Sequence, residues 1–251
     1  MLENLATATE AEAAPARPQL CYQPKIDLRR RCLAGAAAFA DVAREAEQAT
    51  LLFAALLDDW TALAQGGFNL RFALAMPMAL IEGARVTQLA ADHRAGAPHW
   101  PGLIIEIAEE EVVRDVKRAQ AMSQELAAGG IAMAIRDFGT GYSSLASLRD
   151  LSFVEIKVSA DFVKGCAENA GNAAICQTAI DLAHRLGCAA VAEGIDAMAD
   201  LQALQIMGCD LGQGAVLAPA LPRDGFLALL QQRLGAPQAG EPSAAPNRAQ
   251  G

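Results

Sequence analysis

Gly102-Leu103-Ile104-Ile105-Glu106-Ile107 is apolar at consecutive rather than alternate positions, with one carboxylate near its end. A strand with one wet face alternates apolar and polar residues; a strand covered on both faces reads like this one. Ile131-Ala132-Met133-Ala134-Ile135 repeats the pattern. Working outward, similar short runs predict strands at 20–26, 33–39, 70–76, 103–107, 131–136, 153–157, 188–193 and 208–216. Helical periodicity between them predicts helices at 44–65, 79–95, 110–128, 168–186, 197–207 and 223–234. Eight strands alternating with helices over about 215 residues predict a parallel (β/α)8 barrel in a single domain. An open doubly wound sheet is disfavoured, because no glycine-rich phosphate turn follows the first strand.

The composition agrees. Of 251 residues, 53% are hydrophobic, enough for a large core, and the 56 alanines favour helices. The net charge is −9, so a surface for a nucleic acid polymer is not expected. No stretch approaches the length of a membrane span, and residues 1–18 lack the basic start and apolar run of a secretory signal. Six scattered cysteines without a C-x-x-C pair read as free thiols, and the expected location is cytoplasmic. Residues 1–18 and 235–251 carry few large apolar side chains, so flexible tails are expected around a domain at 19–234.

Several polar residues fall at predicted strand ends: Glu106, Arg136, Asp137, Lys157, Glu193 and Gln213. One charged residue at a strand end is ordinarily a solvated edge. Three carboxylates, a lysine and a glutamine converging on one mouth read as a site.

Arg136-Asp-Phe-Gly-Thr-Gly-Tyr-Ser-Ser-Leu145 resembles the DDFGTGYSSL segment of EAL domains. Tyr22-Gln-Pro-Lys25, Glu106-Ile-Ala-Glu109, Ile156-Lys157, Ala192-Glu-Gly-Ile-Asp196 and Gln213-Gly214 resemble accessory motifs of that family, in its order. The resemblance implies a modified TIM-like barrel and a link to cyclic di-GMP. Active members hydrolyse this dinucleotide to linear pGpG with two Mg²⁺ or Mn²⁺ ions, which activate a water and neutralise the developing phosphodiester charge.

Carried over position by position, three of the family's metal-ligand positions are substituted. The signature Glu-Ala-Leu falls on Ala37-Ala38-Phe39, the strand-three asparagine on Ala75, and the bridging aspartate on Arg136. Glu106, Asp137, Lys157, Glu193 and Gln213 survive. Hard cations need several oxygen ligands, so no metal cofactor is expected and catalysis is expected to be absent. Arg136 is expected to pair with one or two of Glu106, Asp137 and Glu193, standing in for the metals, or else to point into solvent. Mg²⁺ or Mn²⁺ enters only if the chain is a weak phosphodiesterase.

For nucleotide binding, the resemblance implies Gln23, Asp137, Glu193 and Gln213 as candidates. The phosphate-contacting arginine of binding members falls on Asp41. Glu109 corresponds to the residue that anchors the loop, and Phe138, Gly139, Thr140, Gly141, Tyr142 and Ser143 correspond to the loop itself, which links the mouth to a dimer-forming face. A homodimer is therefore a further expectation. Ala75 follows Ala37 by only 38 positions, an interval shorter than is usual in the family. Part of a wall or lid beside the mouth is expected to be missing.

The leading expectation is a catalytically inactive regulatory protein of cyclic di-GMP signalling in bacteria, acting through contacts with an unidentified protein partner and gated by the dinucleotide. A metal-independent cyclic di-GMP receptor is the second reading and a weak metal-dependent phosphodiesterase the third. No sensor or output segment is recognisable, so the input is expected to arrive in trans. His93, His99 and His184 lack metal-ligand spacing and read as solvated or capping residues. Trp60 and Trp100, with Met76, Met78 and Met133, read as core. The acidic triplet Glu109–Glu111 reads as a helix start, favoured by the dipole.

Overall fold

Leu28–Arg31 is too short a connection to carry the chain to the far end of a sheet, so β1 (Cys21–Asp27) and β2 (Cys32–Phe39) pair antiparallel. Asp27 shapes this turn by accepting from the backbone N–H groups of Arg29 and Arg30 at 3.0 and 2.7 Å, and Arg31 takes a left-handed φ of 56°. This corrects the purely parallel arrangement expected from strand alternation. The computed structural model describes residues 17–40, 45–97, 99–140, 148 and 151–234. Most of both expected tails, Asp41, and Gly141, Tyr142 and Ser143 lie outside the described residues.

From β2 the chain runs through α1 (Ala46–Gln65), β3 (Phe72–Ala75), α2 (Met78–Gly83) and α3 (Val86–Gly96) to β4 (Leu103–Ala108). Next come α4 (Glu109–Arg114), α5 (Val116–Ala128), β5 (Ile131–Phe138), β6 (Glu155–Val158) and α6 (Ala160–Val163). The described chain ends with α7 (Ala170–Arg185), β7 (Ala189–Ala192), α8 (Met198–Met207), β8 (Leu211–Gly212), β9 (Leu221–Pro222) and α9 (Arg223–Leu234). Strands β2 to β8 are successive parallel neighbours, and β1 closes the ring between β8 and β2. The result is a closed eight-strand barrel with helices outside. β2 pairs directly with β3 despite the short interval between them, so the strand wall is continuous there.

Two expected helices are each split. The 79–95 helix breaks at Ala84–Arg85, where Arg85 takes a left-handed φ of 49° and Gly83 lies so close to α1 that an added Cβ would meet Ala46 Cβ at 2.6 Å. The 110–128 helix breaks at Asp115, whose side chain caps α5 by accepting from Arg118 N–H at 3.0 Å. The eighth strand is two residues long, because Gly208 ends α8 in the left-handed conformation and the chain turns away after Gly212.

Period-two alternation sorts the side chains. Leu103, Ile105 and Ile107 face the helices, as do Ile131, Met133 and Ile135, and they join the main core. Ala73, Ile104 and Ala134 form a separate small cluster inside the ring. The parallel run brings the C-termini of β2 to β7 to one end of the barrel, its mouth. On the outer side, buried Asp59 on α1 accepts from Arg17 Nη2 and Tyr22 Oη, each at 2.7 Å, and from Arg223 Nη1 at 3.3 Å. This ties Arg17, expected in the N-terminal tail, to the barrel. Burial and the Asp59 carboxylate push the Tyr22 phenol well above its ordinary range.

Trp60 and Trp100 are core residues with ring centroids 6.5 Å apart, and Met76, Met78 and Met133 are buried. His93, expected to be solvated, instead packs edge-on against both indoles at 5.3 and 5.2 Å. His184 hydrogen-bonds Asp210 at 2.8 Å. All six cysteines are free thiols. Among the described residues, no helix is long and apolar enough to cross a membrane.

Candidate functional site

The alternation that puts Ile104 inside the ring also puts Glu106 there, two residues nearer the mouth. Lys157 follows on β6, Glu193 just past β7, and Lys25 on β1. Lys157 Nζ donates to Glu106 Oε2 at 3.0 Å and pairs with Glu193 Oε2 at 3.1 Å. Lys25 Nζ lies 3.4 Å from Glu106 Oε1 and donates to Glu155 Oε2. The five side chains form one alternating ladder, Glu155–Lys25–Glu106–Lys157–Glu193. The first four are buried, and the Glu193 side chain is 29% exposed at the mouth.

Lys25 and Glu155 were missed as site residues. The signal for them was present: Lys25 ends the Tyr22–Lys25 motif on an inward position, and Glu155 lies two residues before Lys157 on the same strand face. Neutralisation of Glu106 and Glu193 therefore comes from lysines. Arg136 pairs with one of the three expected carboxylates, Asp137, at 2.8 Å. Both side chains are more than a third exposed, and such a pair is worth ~0–1 kcal/mol.

Burial works against the ionised forms of Glu106 and Lys157, but their mutual attraction outweighs it. The ammonium groups of Lys157 and Lys25 hold the Glu106 carboxyl below its ordinary 4.5, at about 2. The carboxylates of Glu106 and Glu193 lift Lys157 above its ordinary 10.5. A depressed carboxyl stabilises the fold above its unfolded pKa and loses that contribution as pH falls towards the folded one. A raised ammonium stabilises below its unfolded pKa and loses its contribution as pH rises through the folded one. Urea denaturation across pH is therefore expected to show a plateau bounded by an acid loss that begins near 4.5 and runs towards 2, and an alkaline loss above 10.5. In Glu106→Gln the acid limb should shrink.

Asp137, the last residue but one of β5, takes a left-handed φ of 56°, and its carbonyl accepts from Thr140 N–H and Oγ1 at 3.3 and 2.8 Å. Glu109, buried at the start of α4, accepts from Gly139 N–H at 2.9 Å. It thus holds the described start of the loop, Phe138–Thr140, against the mouth. Gln23 Nε2 donates to Ala218 carbonyl at 3.0 Å, and buried Gln213 Nε2 donates to the Gln23 carbonyl at 3.4 Å. These two glutamines stand together in the wall, whereas Glu106, Arg136, Lys157 and Glu193 share a cavity of about 290 Å³. Its other side is apolar, built by Ala37, Ala75, Leu52, Leu74, Met76 and Leu80. Ala37, Ala75 and Arg136, the three positions expected to be substituted, all line it. Among the described residues, no group of three or more His, Cys, Asp or Glu side chains is arranged to hold a metal ion.

Comparison with known proteins gives this geometry its context. A family model described as the EAL domain matches residues 11–220. The chain is 35% identical over 126 residues to the bifunctional diguanylate cyclase/cyclic di-GMP phosphodiesterase MucR of Pseudomonas aeruginosa, covering 50% of this chain and 18% of MucR. It is 33% identical over 134 residues to the cyclic di-GMP phosphodiesterase NbdA of the same organism, covering 53% of this chain and 17% of NbdA. These matches span about half of this chain and less than a fifth of the relatives' length. The EAL domain of Mycobacterium smegmatis DcpA superposes with a TM-score of 0.78 at 25% identity, over 86% of this chain and 98% of that one. A manganese and cyclic di-GMP complex of Klebsiella pneumoniae BlrP1 superposes with a TM-score of 0.74 at 21% identity, over 84% of this chain and 57% of that one. Because the family model runs from before β1 to the residue before β9, taking in every strand that closes the barrel, the chain belongs to the EAL domain family.

Proposed function

We propose that this chain is a non-hydrolysing EAL module of cyclic di-GMP signalling that works through contacts with a protein partner. The observation that carries this reading is the occupation of Glu106. Both of its oxygens face lysine ammonium groups, and the positions around it that would complete an ion's shell are Ala37, Ala75 and Arg136. Asp137 is engaged by Arg136, and Glu193 by Lys157. A hard divalent ion needs about six oxygen ligands. Methyl groups supply none, and a guanidinium repels the ion outright. The residues present do not fit a pair of Mg²⁺ or Mn²⁺ ions, and no hydrolytic step is assigned to them.

What this chain's residues do instead is hold the mouth together. The ladder neutralises the carboxylates, Glu109 fastens the start of the loop, and Phe39 stands 37% exposed on the rim of the cavity. Aromatic side chains are enriched in protein interfaces, which favours a protein contact at that rim. Gating of such contacts by cyclic di-GMP is a second reading, favoured by the anchored Phe138–Thr140 segment that follows Asp137.

The purified chain incubated with cyclic di-GMP and Mn²⁺ or Mg²⁺ is expected to form no pGpG above the protein-free blank, by chromatography. Metal-dependent pGpG formation overturns the reading. Titration calorimetry with cyclic di-GMP, with and without Mg²⁺ or Ca²⁺, separates gating from partner contact alone. The triple variant Ala37→Glu, Ala75→Asn, Arg136→Asp supplies three oxygen ligands and removes a repulsive charge. Changes in outer-shell partners alone alter metal affinity by about 10–100-fold, so Mn²⁺ binding should strengthen by at least about tenfold in calorimetry.

A further inference from the structure

We infer that the end of the barrel opposite the mouth docks on the anionic headgroups of a lipid bilayer surface, through the Arg29-Arg30-Arg31 hairpin and Ile206. The inference goes beyond the reading of the mouth and does not depend on it.

Strand direction places a defined set of residues at this end. It comprises the last turns of α1, α3, α5, α7 and α8, the segments leading from them into β3, β4, β5, β7 and β8, and the β1–β2 hairpin. Their described residues carry Arg29, Arg30, Arg31, Arg71, Arg94 and Arg185 against Asp27, Glu125 and Asp210, a formal +3 in a chain of net −9. All six arginines are exposed. Among the described residues, Arg30 alone of the six pairs with a carboxylate, Asp27, at 3.7 Å. Asp210 is engaged instead by His184 and by Ala190 N–H.

Arg94 and Arg185 have a local reason to be there, because cations complement helix C-termini. The hairpin triplet has none. Asp27 already closes the turn through backbone N–H groups, and Arg31 holds a left-handed φ of 56°, which glycine adopts at lower cost. Three adjacent like charges repel one another in an isolated turn, and an opposing anionic surface offsets that repulsion.

Apolar side chains stand among these cations. Ile206 is 87% exposed beside the triplet, where its neighbour Gln205 donates from Nε2 to the Leu28 carbonyl at 3.1 Å. Val154, at the entry to β6, is exposed at the same end. Basic residues with apolar side chains between them suit the boundary of headgroups and acyl chains. An acidic protein face would pair the arginines but set Ile206 and Val154 against carboxylates, so the lipid surface fits both. Docked in this way, the mouth faces away from the bilayer.

The test sediments the full chain with sucrose-loaded vesicles of phosphatidylcholine, alone or mixed equally with phosphatidylglycerol, in 0.1 M NaCl. Partition onto the mixed vesicles only is expected. Release is expected in 1 M NaCl, where the screening length falls from about 10 Å to about 3 Å. Each arginine near such a surface contributes about fivefold, so Arg29→Gln/Arg30→Gln/Arg31→Gln should weaken partition by about 100-fold. Ile206→Ser should weaken it by about tenfold. All four side chains are exposed, so both variants should stay folded, which circular dichroism checks. Equal partition onto both kinds of vesicle, no partition onto the mixed ones, or unchanged partition of either folded variant overturns the inference. So does capture by immobilised poly-L-glutamate without vesicle binding, which assigns this face to an acidic protein.

Discussion

Lys157→Met is expected to destabilise the fold by about 3–5 kcal/mol, the loss seen when one member of a buried ion pair is removed and its partner is stranded. Lys157 is buried, with its ammonium group 3.0 Å from Glu106 and 3.1 Å from Glu193. Methionine fills much of the same volume, so the loss reports charge rather than a cavity. Without Lys157, Glu106 keeps only Lys25, at 3.4 Å and shared with Glu155. At neutral pH it must either stay ionised in a dry interior or take up a proton, and both cost free energy. The variant should therefore recover relative to the parent as pH drops towards 5, the reverse of the acid loss expected for the parent. The double variant Lys157→Met/Glu106→Leu removes both charges and should recover much of the stability. Urea denaturation followed by circular dichroism measures all three. A loss below about 1 kcal/mol in Lys157→Met would mean that the ladder is not the site's electrostatic frame.

The ladder also shows how far the sequence could be read. Strand positions were legible because Leu103–Ile107 and Ile131–Ile135 are covered on both faces, and a short, continuous apolar run rich in branched side chains fits a buried strand better than a surface helix. Glu106 and Lys157 were legible because a charge within such a run must be paired or functional. The antiparallel first strand was not, because periodicity is the same in either direction; only the Asp27 turn distinguishes them. The helix breaks at Arg85 and Asp115 were hidden because the hydrophobic pattern continues across them. Arg136 was expected on the carboxylates collectively. Which one it takes depends on the left-handed turn at Asp137, which brings that side chain back towards its neighbour and which composition does not reveal.

Sharing a fold with cyclic di-GMP phosphodiesterases does not by itself confer their chemistry, which resides in the side chains at the strand ends. Here the barrel mouth carries an apolar half-wall at Ala37 and Ala75, where the resemblance implies Glu and Asn, and Lys157 is tied to Glu106 and Glu193. The scaffold below is unaffected by those replacements: β2 and β3 pair in register through Ala36–Ala38. Side chains at the barrel mouth can therefore differ without loss of the fold.

The same does not hold for Gly214, where substitution is expected to destroy the fold. Gly214→Ala should yield no soluble protein with a cooperative thermal transition. A Cβ built at this position would lie 2.2, 2.3 and 2.5 Å from the O, N and C atoms of Ile195, all backbone. Ile195 cannot withdraw. It is fully buried, its N–H donates to the Gln213 carbonyl at 2.9 Å, and its carbonyl accepts from Val216 N–H at 3.2 Å. Nor can Gly214, whose carbonyl accepts from both Leu217 and Ala218 N–H at 3.0 Å. Relief requires separating the segment after β7 from the segment after β8, which breaks the barrel near its closure and exposes buried Gln213. Losses above about 4–5 kcal/mol are exceptional for one substitution and mark this kind of backbone collision. Gly187→Ala is the control: its φ is also positive, at 74°, but an added Cβ meets nothing within 4 Å. It should cost only the left-handed penalty of about 1–2 kcal/mol. If Gly214→Ala melts no lower than Gly187→Ala, the close approach at Ile195 does not constrain the barrel.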